Sequence, residues 1–120
     1  MKTARDPRHL KRIEDFKALY TYSFAGVVDE RIEDVIEKIS EIDAQIHEAA
    51  PEREILQMDK TNVALLRLGV FELMTGTKPS VVIDEVVEIA KVYGSESSPK
   101  LVHAVLNVVA KKYGSNNTTT

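Results

Sequence analysis

Three histidines and a run of acidic residues are the side chains in this sequence with the greatest capacity for chemistry, since they could bind a metal or transfer a proton. His9, His47 and His103 lie far apart, and none has a second histidine four residues away that could complete a helix-borne metal site. Cysteine is absent, which excludes disulfides, thiolate nucleophiles and cysteine-ligated zinc. We therefore predict a chain with no metal site and no other cofactor.

Ten acidic residues crowd positions 29–54. They could in principle form an acid–base pair, but they alternate with apolar residues at helical spacing, and a solvated helix face explains them better. Residues 76–80 read Gly-Thr-Lys-Pro-Ser, yet they lack the residue order and the preceding strand of a phosphate-binding loop. No serine or threonine stands in a nucleophile elbow. We predict that the chain is not an enzyme.

Charge is distributed unevenly along the 120 residues, whose net charge is −3. Residues 1–17 carry six basic and three acidic side chains, whereas residues 29–54 carry three basic and ten acidic ones. A basic end on an acidic chain hints at a polyanion bound at one place. Since no apolar run is long enough for a membrane span or a signal peptide, we expect a cytoplasmic protein that does not bind membranes.

Apolar residues recur every three or four positions along most of the chain, as in helices, and strand-like alternation is almost absent. Proline, glycine and capping residues mark the ends of the predicted helices. These helices cover residues 7–25, 28–49, 60–75, 80–93 and 98–112. The sequence thus predicts an all-α fold, a compact helical bundle formed by residues 1–114 as a single domain, with a disordered polar tail at 115–120.

The predicted helices over 60–75 and 98–112 are apolar on more than one side, which predicts central positions packed on several neighbours. Arg67 lies between two leucines of the first of them. Because an unpaired buried charge costs several kcal/mol, Arg67 needs a carboxylate or carbonyl partner. Glu72 and Glu85 are the candidates, and Glu85 is favoured because it interrupts an apolar helix in the same way.

Two stretches carry more specific information than composition does. Residues 58–73 read MDKTNVALLRLGVFEL, and residues 78–102 contain KPSVVIDEVVEIAKVYG and then SSPKLV. Together with an Ala-Leu-Tyr sequence ending at Tyr20, after a basic first helix, these motifs resemble the NusB family of bacterial transcription antitermination factors. The resemblance covers residues 5–112 and implies that family's helical fold.

The sequence also departs from the family pattern. The stretch between Tyr20 and Val28 is too short for the family's second helix, so the resemblance implies a shortened N-terminal subdomain. At six further positions a residue usual in the family is replaced, including an acid by asparagine and a phenylalanine by leucine. These positions are Asn62, Val63, Asp84, Leu101, His103 and Ala104.

The resemblance implies an RNA-binding protein. Family members bind boxA, a short single-stranded RNA element in ribosomal RNA leader transcripts, together with a ribosomal protein that acts as the factor NusE. The complex acts on RNA polymerase with other Nus factors. From the resemblance and the basic first helix, the predicted RNA contacts are Arg5, Arg8, His9, Lys11, Arg12, Tyr20, Asn62, Lys100 and Leu101.

Each contact has a physical rationale and a simpler alternative. Arg8 and Arg12 lie one turn apart on the first helix and could both reach phosphates, or they could merely solvate that helix. Tyr20 and Phe24 lie on the helix's predicted apolar stripe, so Tyr20 either stacks on a base or packs in the core. Two other functions stay open: a helical adaptor that has lost boxA binding and uses residues 29–54 to meet a basic partner, and a module that targets ribosomal RNA.

Overall fold

The computed structural model of the chain describes residues 6–114, which form six α-helices and two short 3-10 helices without any strand. This confirms the predicted all-α fold. Arg5 and the tail predicted to be disordered lie outside the described residues. The helices are α1 (Pro7–Ala25), α2 (Glu33–Glu37), α3 (Ile39–Ala49), α4 (Lys60–Met74), α5 (Pro79–Tyr93) and α6 (Ser98–Ala110).

The ends of α1 follow from its capping residues. The Asp6 carboxylate accepts a hydrogen bond from the backbone N–H of Arg8 at 2.9 Å, and Pro7 occupies the first helical position, where its missing N–H costs nothing. At the other end Gly26 takes φ +75°, a left-handed conformation that glycine adopts without strain. These features confirm the predicted bounds of the first helix.

The prediction of one helix over residues 28–49 is wrong. Asp29 has an extended backbone and caps a 3-10 helix, Glu30–Ile32, by accepting a hydrogen bond from Arg31 N–H at 2.8 Å. The chain bends again at Lys38, whose N–H donates to Val35 three residues back and closes α2 early. This Asx cap and this tight turn therefore divide the segment into three short elements.

Helix α4 is the centre of the bundle. It packs against α1, α3, α5 and α6, and residues 62–70 are all buried, as the sequence predicts. Helix α6 approaches α4 closely at Gly69, where an added Cβ would lie 2.6 Å from a methyl group of Leu106. Helix α6 packs on α3, α4 and α5, but Ala104 and Val108 are exposed, so its predicted burial on several sides is only partly correct.

Helix α6 begins at Ser98, as predicted, but it ends at Ala110 instead of Lys112. Ser97 is its N-cap residue. The Ser98 hydroxyl is buried and accepts a hydrogen bond from the Ser95 backbone N–H at 2.9 Å, so it ties the α5–α6 connection to the helix instead of capping it. Within residues 6–114, no helix combines the length and the apolar character needed to cross a membrane.

Candidate nucleic-acid interface

The basic residues of α1 divide into an exposed pair and an engaged pair. The exposed pair is Arg8 and Lys11, whose side chains are 84% and 69% accessible. Arg8 contacts only acids within one turn, at 3.1 Å from Asp6, and Lys11 lies 2.7 Å from Asp15. The Arg8 pair is solvated and weak, so Arg8 can exchange Asp6 for a phosphate oxygen. Lys11 is exposed, but its partner Asp15 is buried and also accepts a hydrogen bond from Arg31, so Lys11 is the member of this cluster that can turn to a phosphate while Asp15 stays paired.

Arg12 and His9 point instead towards α4 and α5. The Arg12 guanidinium donates to both carboxylate oxygens of Glu72 at 2.8 Å, and it lies 3.7 Å from Glu85. His9 Nδ1 lies 2.7 Å from Glu85 Oε1, the same oxygen that Arg12 approaches. Burial lowers the Arg12 pKa, but the hydrogen bonds that Arg12 donates to Glu72 and the charges of both glutamates outweigh it, so this pKa is raised. Arg8 and Arg12 therefore do not form one exposed phosphate-binding pair.

Arg67 is buried, as the sequence predicts, but the predicted partner is wrong. Its guanidinium donates to Asp43 through two nitrogens, at 2.9 and 2.8 Å, and to the Ser23 hydroxyl at 2.9 Å. The Tyr22 ring lies 5.5 Å from the guanidinium carbon. Glu85 could not serve because it is already paired with His9. The prediction missed Asp43 because all acids of the 29–54 segment were expected to face water.

Tyr20 is on the surface, which excludes the interpretation of it as a core residue. Its ring stacks on that of Phe24, with ring centroids 6.1 Å apart and an interplanar angle of 4°. Phe24 is itself 71% exposed. The predicted apolar stripe of α1 therefore continues past the core as an exposed aromatic pair. Phe24 was missed as a candidate site residue, although its spacing of four from Tyr20 is the signal for such a pair.

Asn62, Lys100 and Leu101 lie together, although they are far apart in sequence. They line a cleft of about 440 Å³, which we call the α4–α6 cleft. Asn62 comes from the first turn of α4, and the other two come from the first turn of α6. The remaining lining residues include Arg53 and Ser97. The structure thus brings three predicted site residues to one concave surface.

The exposed cations of α1 lie at a different end of the bundle from the aromatic pair and the α4–α6 cleft. Arg12 of α1 meets Glu72 near the end of α4, whereas Ser23 meets Arg67 nearer its start, so α1 and α4 are antiparallel. Arg8 and Tyr20 are separated by twelve residues, or about 18 Å along a helix. The exposed cations therefore lie beyond the end of α4, and the aromatic pair lies towards the end that carries the α4–α6 cleft.

Arg31 is a basic residue that the sequence analysis missed. It lines a cleft of about 260 Å³ together with Arg8 and Lys11, and its Nε donates to Asp15 at 2.9 Å. This hydrogen bond raises the Arg31 pKa. Arg31 was not predicted as a site residue because it lies within the acidic segment, and only the fold of the 3-10 helix brings it beside α1. Within residues 6–114, no cluster of three or more potential metal ligands occurs.

Comparisons with known proteins agree on one family. The NusB family model matches residues 12–111. Transcription antitermination protein NusB of Helicobacter pylori (strain Shi470) is 35% identical over 79 residues, which is 65% of this chain and 57% of that protein. The same-named protein of a Nitratiruptor species is 37% identical over 78 residues, 64% of this chain and 56% of that protein. The chain thus spans little more than half the length of these relatives.

A solved structure matches along nearly the whole chain. T. maritima NusB superimposes with a TM-score of 0.77 and 29% sequence identity, covering 99% of both chains. The match includes the arrangement of helices that carries both the exposed cations of α1 and the α4–α6 cleft. The shortened N-terminal subdomain implied by the sequence stays a prediction.

Proposed function

Because this chain belongs to the NusB family, we propose that it is a transcription antitermination factor that binds boxA-like single-stranded RNA together with a ribosomal protein acting as NusE. The family match over residues 12–111 is the observation that carries this proposal. The complex would act in the cytoplasm, on RNA polymerase and with other Nus factors. The protein's own part would be binding and not catalysis.

The exposed groups suit a single RNA strand. Arg8, Lys11 and Arg31 surround one cleft, and exposed cations of this kind bind phosphates and release counterions from the RNA. The stacked rings of Tyr20 and Phe24 offer an exposed aromatic face, on which unpaired bases stack in sequence-tolerant fashion. One strand running along α1 would meet the cations first and the rings next.

His9 and Arg12 serve this surface indirectly. Both contact Glu85, and Arg12 also binds Glu72, so releasing either for RNA would break a largely buried charge contact. We assign them to holding α1 against α4 and α5, which fixes the direction of Arg8 and Lys11. A direct contact by Arg5 stays a prediction, since that residue lies outside the described part of the chain.

A second candidate function is an adaptor that binds proteins and has lost boxA binding. The observation in its favour is the exposure of nine of the ten acids in residues 29–54. Such a face complements a basic partner, including a ribosomal protein. Asp43 is the exception, because it is half-buried and pairs with Arg67.

A binding experiment with the chain, the RNA and the ribosomal protein distinguishes the two functions. A fluorescent boxA-like RNA, or a scrambled RNA of the same composition, is titrated with the chain in the absence and presence of the ribosomal protein. The antitermination function predicts that the ribosomal protein lowers the Kd for the boxA-like RNA and leaves the Kd for the scrambled RNA unchanged. A complex of the two proteins that forms equally well without RNA, and that does not discriminate between the RNAs, would favour the adaptor.

A further inference from the structure

We infer that His9 makes a pH-sensitive contact within the fold: its protonated imidazole binds Glu85 and holds the start of α1 against α5, and loss of this proton weakens the contact as the pH rises. The consequence for RNA rests on the proposed function, since Arg8 and Lys11 lie on the same turns of α1. The inference goes beyond that function by naming a residue and a condition that regulate the binding surface.

The contact between His9 and Glu85 joins the first turn of α1 to the middle of α5. His9 Nδ1 lies 2.7 Å from Glu85 Oε1, and the two side chains are only 13% and 12% accessible. Charge pairs that are largely buried are screened much less than exposed ones. Because a protonated imidazole adds a charge–charge attraction to this hydrogen bond, the proton on His9 determines how strongly α1 is held.

The charges in contact with His9 favour its protonated form. Arg12 lies 3.7 Å from the Glu85 oxygen that His9 approaches, but it donates its hydrogen bonds to Glu72. Two largely buried carboxylates therefore share one guanidinium group. A protonated His9 balances the second negative charge, and an opposite charge within about 4–6 Å favours the charged form of a group.

Three further charged groups line the cleft of about 510 Å³ that contains His9, and they do not reverse this balance. They are Asp6, Arg8 and Lys78. Asp6 and Arg8 pair with each other at 3.1 Å, and the Asp6 carboxylate offsets the positive end of the α1 dipole. Lys78 is exposed, so water screens its charge. Burial lowers the Arg12 pKa, but the two glutamates outweigh it, which indicates a net negative potential at this place.

His9 is the cation of this cluster that can respond to pH. Histidine ordinarily changes its charge between about pH 5 and about pH 8, whereas arginine stays protonated throughout. His9 lines a cleft at the surface, through which its ring can exchange a proton with water. Since Arg8 and Lys11 flank His9 on α1, a weaker contact at high pH would loosen the turns that present both cations to RNA.

The first test compares the melting temperatures of the wild-type chain and His9→Gln at about pH 5.5 and about pH 8.5. A contact with the protonated ring stabilises the folded chain at the lower pH, and this contribution is lost as the pH rises. Since glutamine cannot take up a proton, the deficit of His9→Gln should be about 4 °C larger at the lower pH. An equal deficit at both pH values would overturn the inference.

Two further variants supply the controls. His103→Gln makes the same change at an exposed position of α6, and its effect should be nearly independent of pH. Glu85→Gln keeps the side-chain size and removes the charge, so in this background the deficit caused by His9→Gln should no longer depend on pH. A pH dependence that survives unchanged in Glu85→Gln, or that is equally large for His103→Gln, would contradict the role of the His9–Glu85 contact.

A direct readout removes the dependence on variant folding. In the wild-type chain without RNA, ¹⁵N-resolved NMR spectra distinguish an imidazole ring with hydrogen on both nitrogens from a ring with hydrogen on one. At about pH 7, most His9 rings should carry both hydrogens, and most His103 rings should carry only one. A single hydrogen on most His9 rings at this pH would overturn the inference.

The consequence for RNA is tested separately. The Kd of the wild-type chain for boxA-like RNA should rise more between about pH 5.5 and about pH 8.5 than the Kd of His9→Gln. An equal rise in both chains would overturn the regulation of binding. A larger rise in the wild type without a pH-dependent difference in melting temperature would mean that His9 contacts RNA directly, and it would overturn the inference. Equal binding of boxA-like and scrambled RNA would overturn the proposed function but leave the RNA-free tests of His9 intact.

Discussion

At the scale of single residues, two arginines connect the helices around the centre of the bundle. Arg12 joins α1 to Glu72 of α4, and Arg67 joins α4 to Asp43 of α3 and to Ser23 of α1. Both make two-pronged contacts with a carboxylate, the geometry to which the guanidinium group is best suited. These contacts fix how α1 lies on α4, and therefore where the exposed cations of α1 point.

Replacing Arg67 tests this structural role. Arg67→Ala should lower the free energy of unfolding by about 3 kcal/mol, because Asp43 and the Ser23 hydroxyl lose their shared partner in a largely buried place. Urea denaturation followed by circular dichroism measures the change. Lys91→Ala is the control, since it breaks only an exposed 4.0 Å pair with Glu88 and should change stability by less than about 0.5 kcal/mol. Equal stability of the two variants would contradict the buried pair.

Replacing Arg8 and Lys11 tests the phosphate contacts. Each contact to a single strand contributes about 0.7 to the slope of log affinity against log salt, so Arg8→Ala/Lys11→Ala should reduce this slope by about 1.4 without unfolding the chain. Binding titrations of boxA-like RNA over a range of salt concentrations measure it. Lys38→Ala/Lys112→Ala removes the same charge at exposed positions that do not line the cleft of Arg8 and Lys11, and it should leave the slope nearly unchanged. A slope that falls equally in both double variants would mean that only net charge matters.

At the scale of elements, the start of α1 is stabilised by hydrogen bonds between Arg8 and Asp6. The Arg8 side chain donates hydrogen bonds to the Asp6 carboxylate, and so does the Arg8 backbone N–H. These bonds lower the pKa of Asp6 below its ordinary value of 3.8. Because the folded-state pKa is the lower one, the cap stabilises the helix fully above the unfolded pKa, and the contribution fades as the pH falls through the folded pKa.

The cap predicts a pH-dependent variant. Asp6→Ala should lower the melting temperature at pH 7, and the difference from the wild type should shrink below pH 3.8 as the wild-type carboxylate becomes protonated. Thermal denaturation across this pH range measures both effects. Asp84→Ala, which removes an exposed carboxylate within α5, should show no such convergence. A deficit for Asp6→Ala that persists unchanged to about pH 2 would contradict the ionised cap.

The elements also show how far the sequence determines the site. The bounds of α1 were predictable because proline and glycine act locally, and the family motifs identified the residues that the α4–α6 cleft collects. The division of 28–49 was not predictable from periodicity, since its apolar residues keep helical spacing across the bend at Lys38. The pairing of Arg67 with Asp43 was equally unpredictable from the sequence, because pairing across helices depends on how the helices pack.

At the scale of the whole molecule, the cations of α1 adjoin the acids of residues 29–54. Arg8, Lys11 and Arg31 line one cleft together with Asp15 and Asp34, and nine of the ten acids of residues 29–54 are exposed. Under the proposed function, an RNA strand and a basic protein would therefore meet neighbouring surfaces of opposite charge. Under the proposed function, the aromatic pair would provide contacts to bases that charge alone cannot supply.

The most direct test of RNA binding is a fluorescence-anisotropy titration of the chain with boxA-like RNA and with a scrambled RNA of the same composition, at two salt concentrations. Binding of both RNAs should weaken as the salt concentration rises, because both offer phosphates to Arg8, Lys11 and Arg31. The boxA-like RNA should bind more tightly than the scrambled RNA at both salt concentrations, since base contacts are much less sensitive to salt. Equal affinities for the two RNAs at both concentrations would contradict the function proposed for this chain.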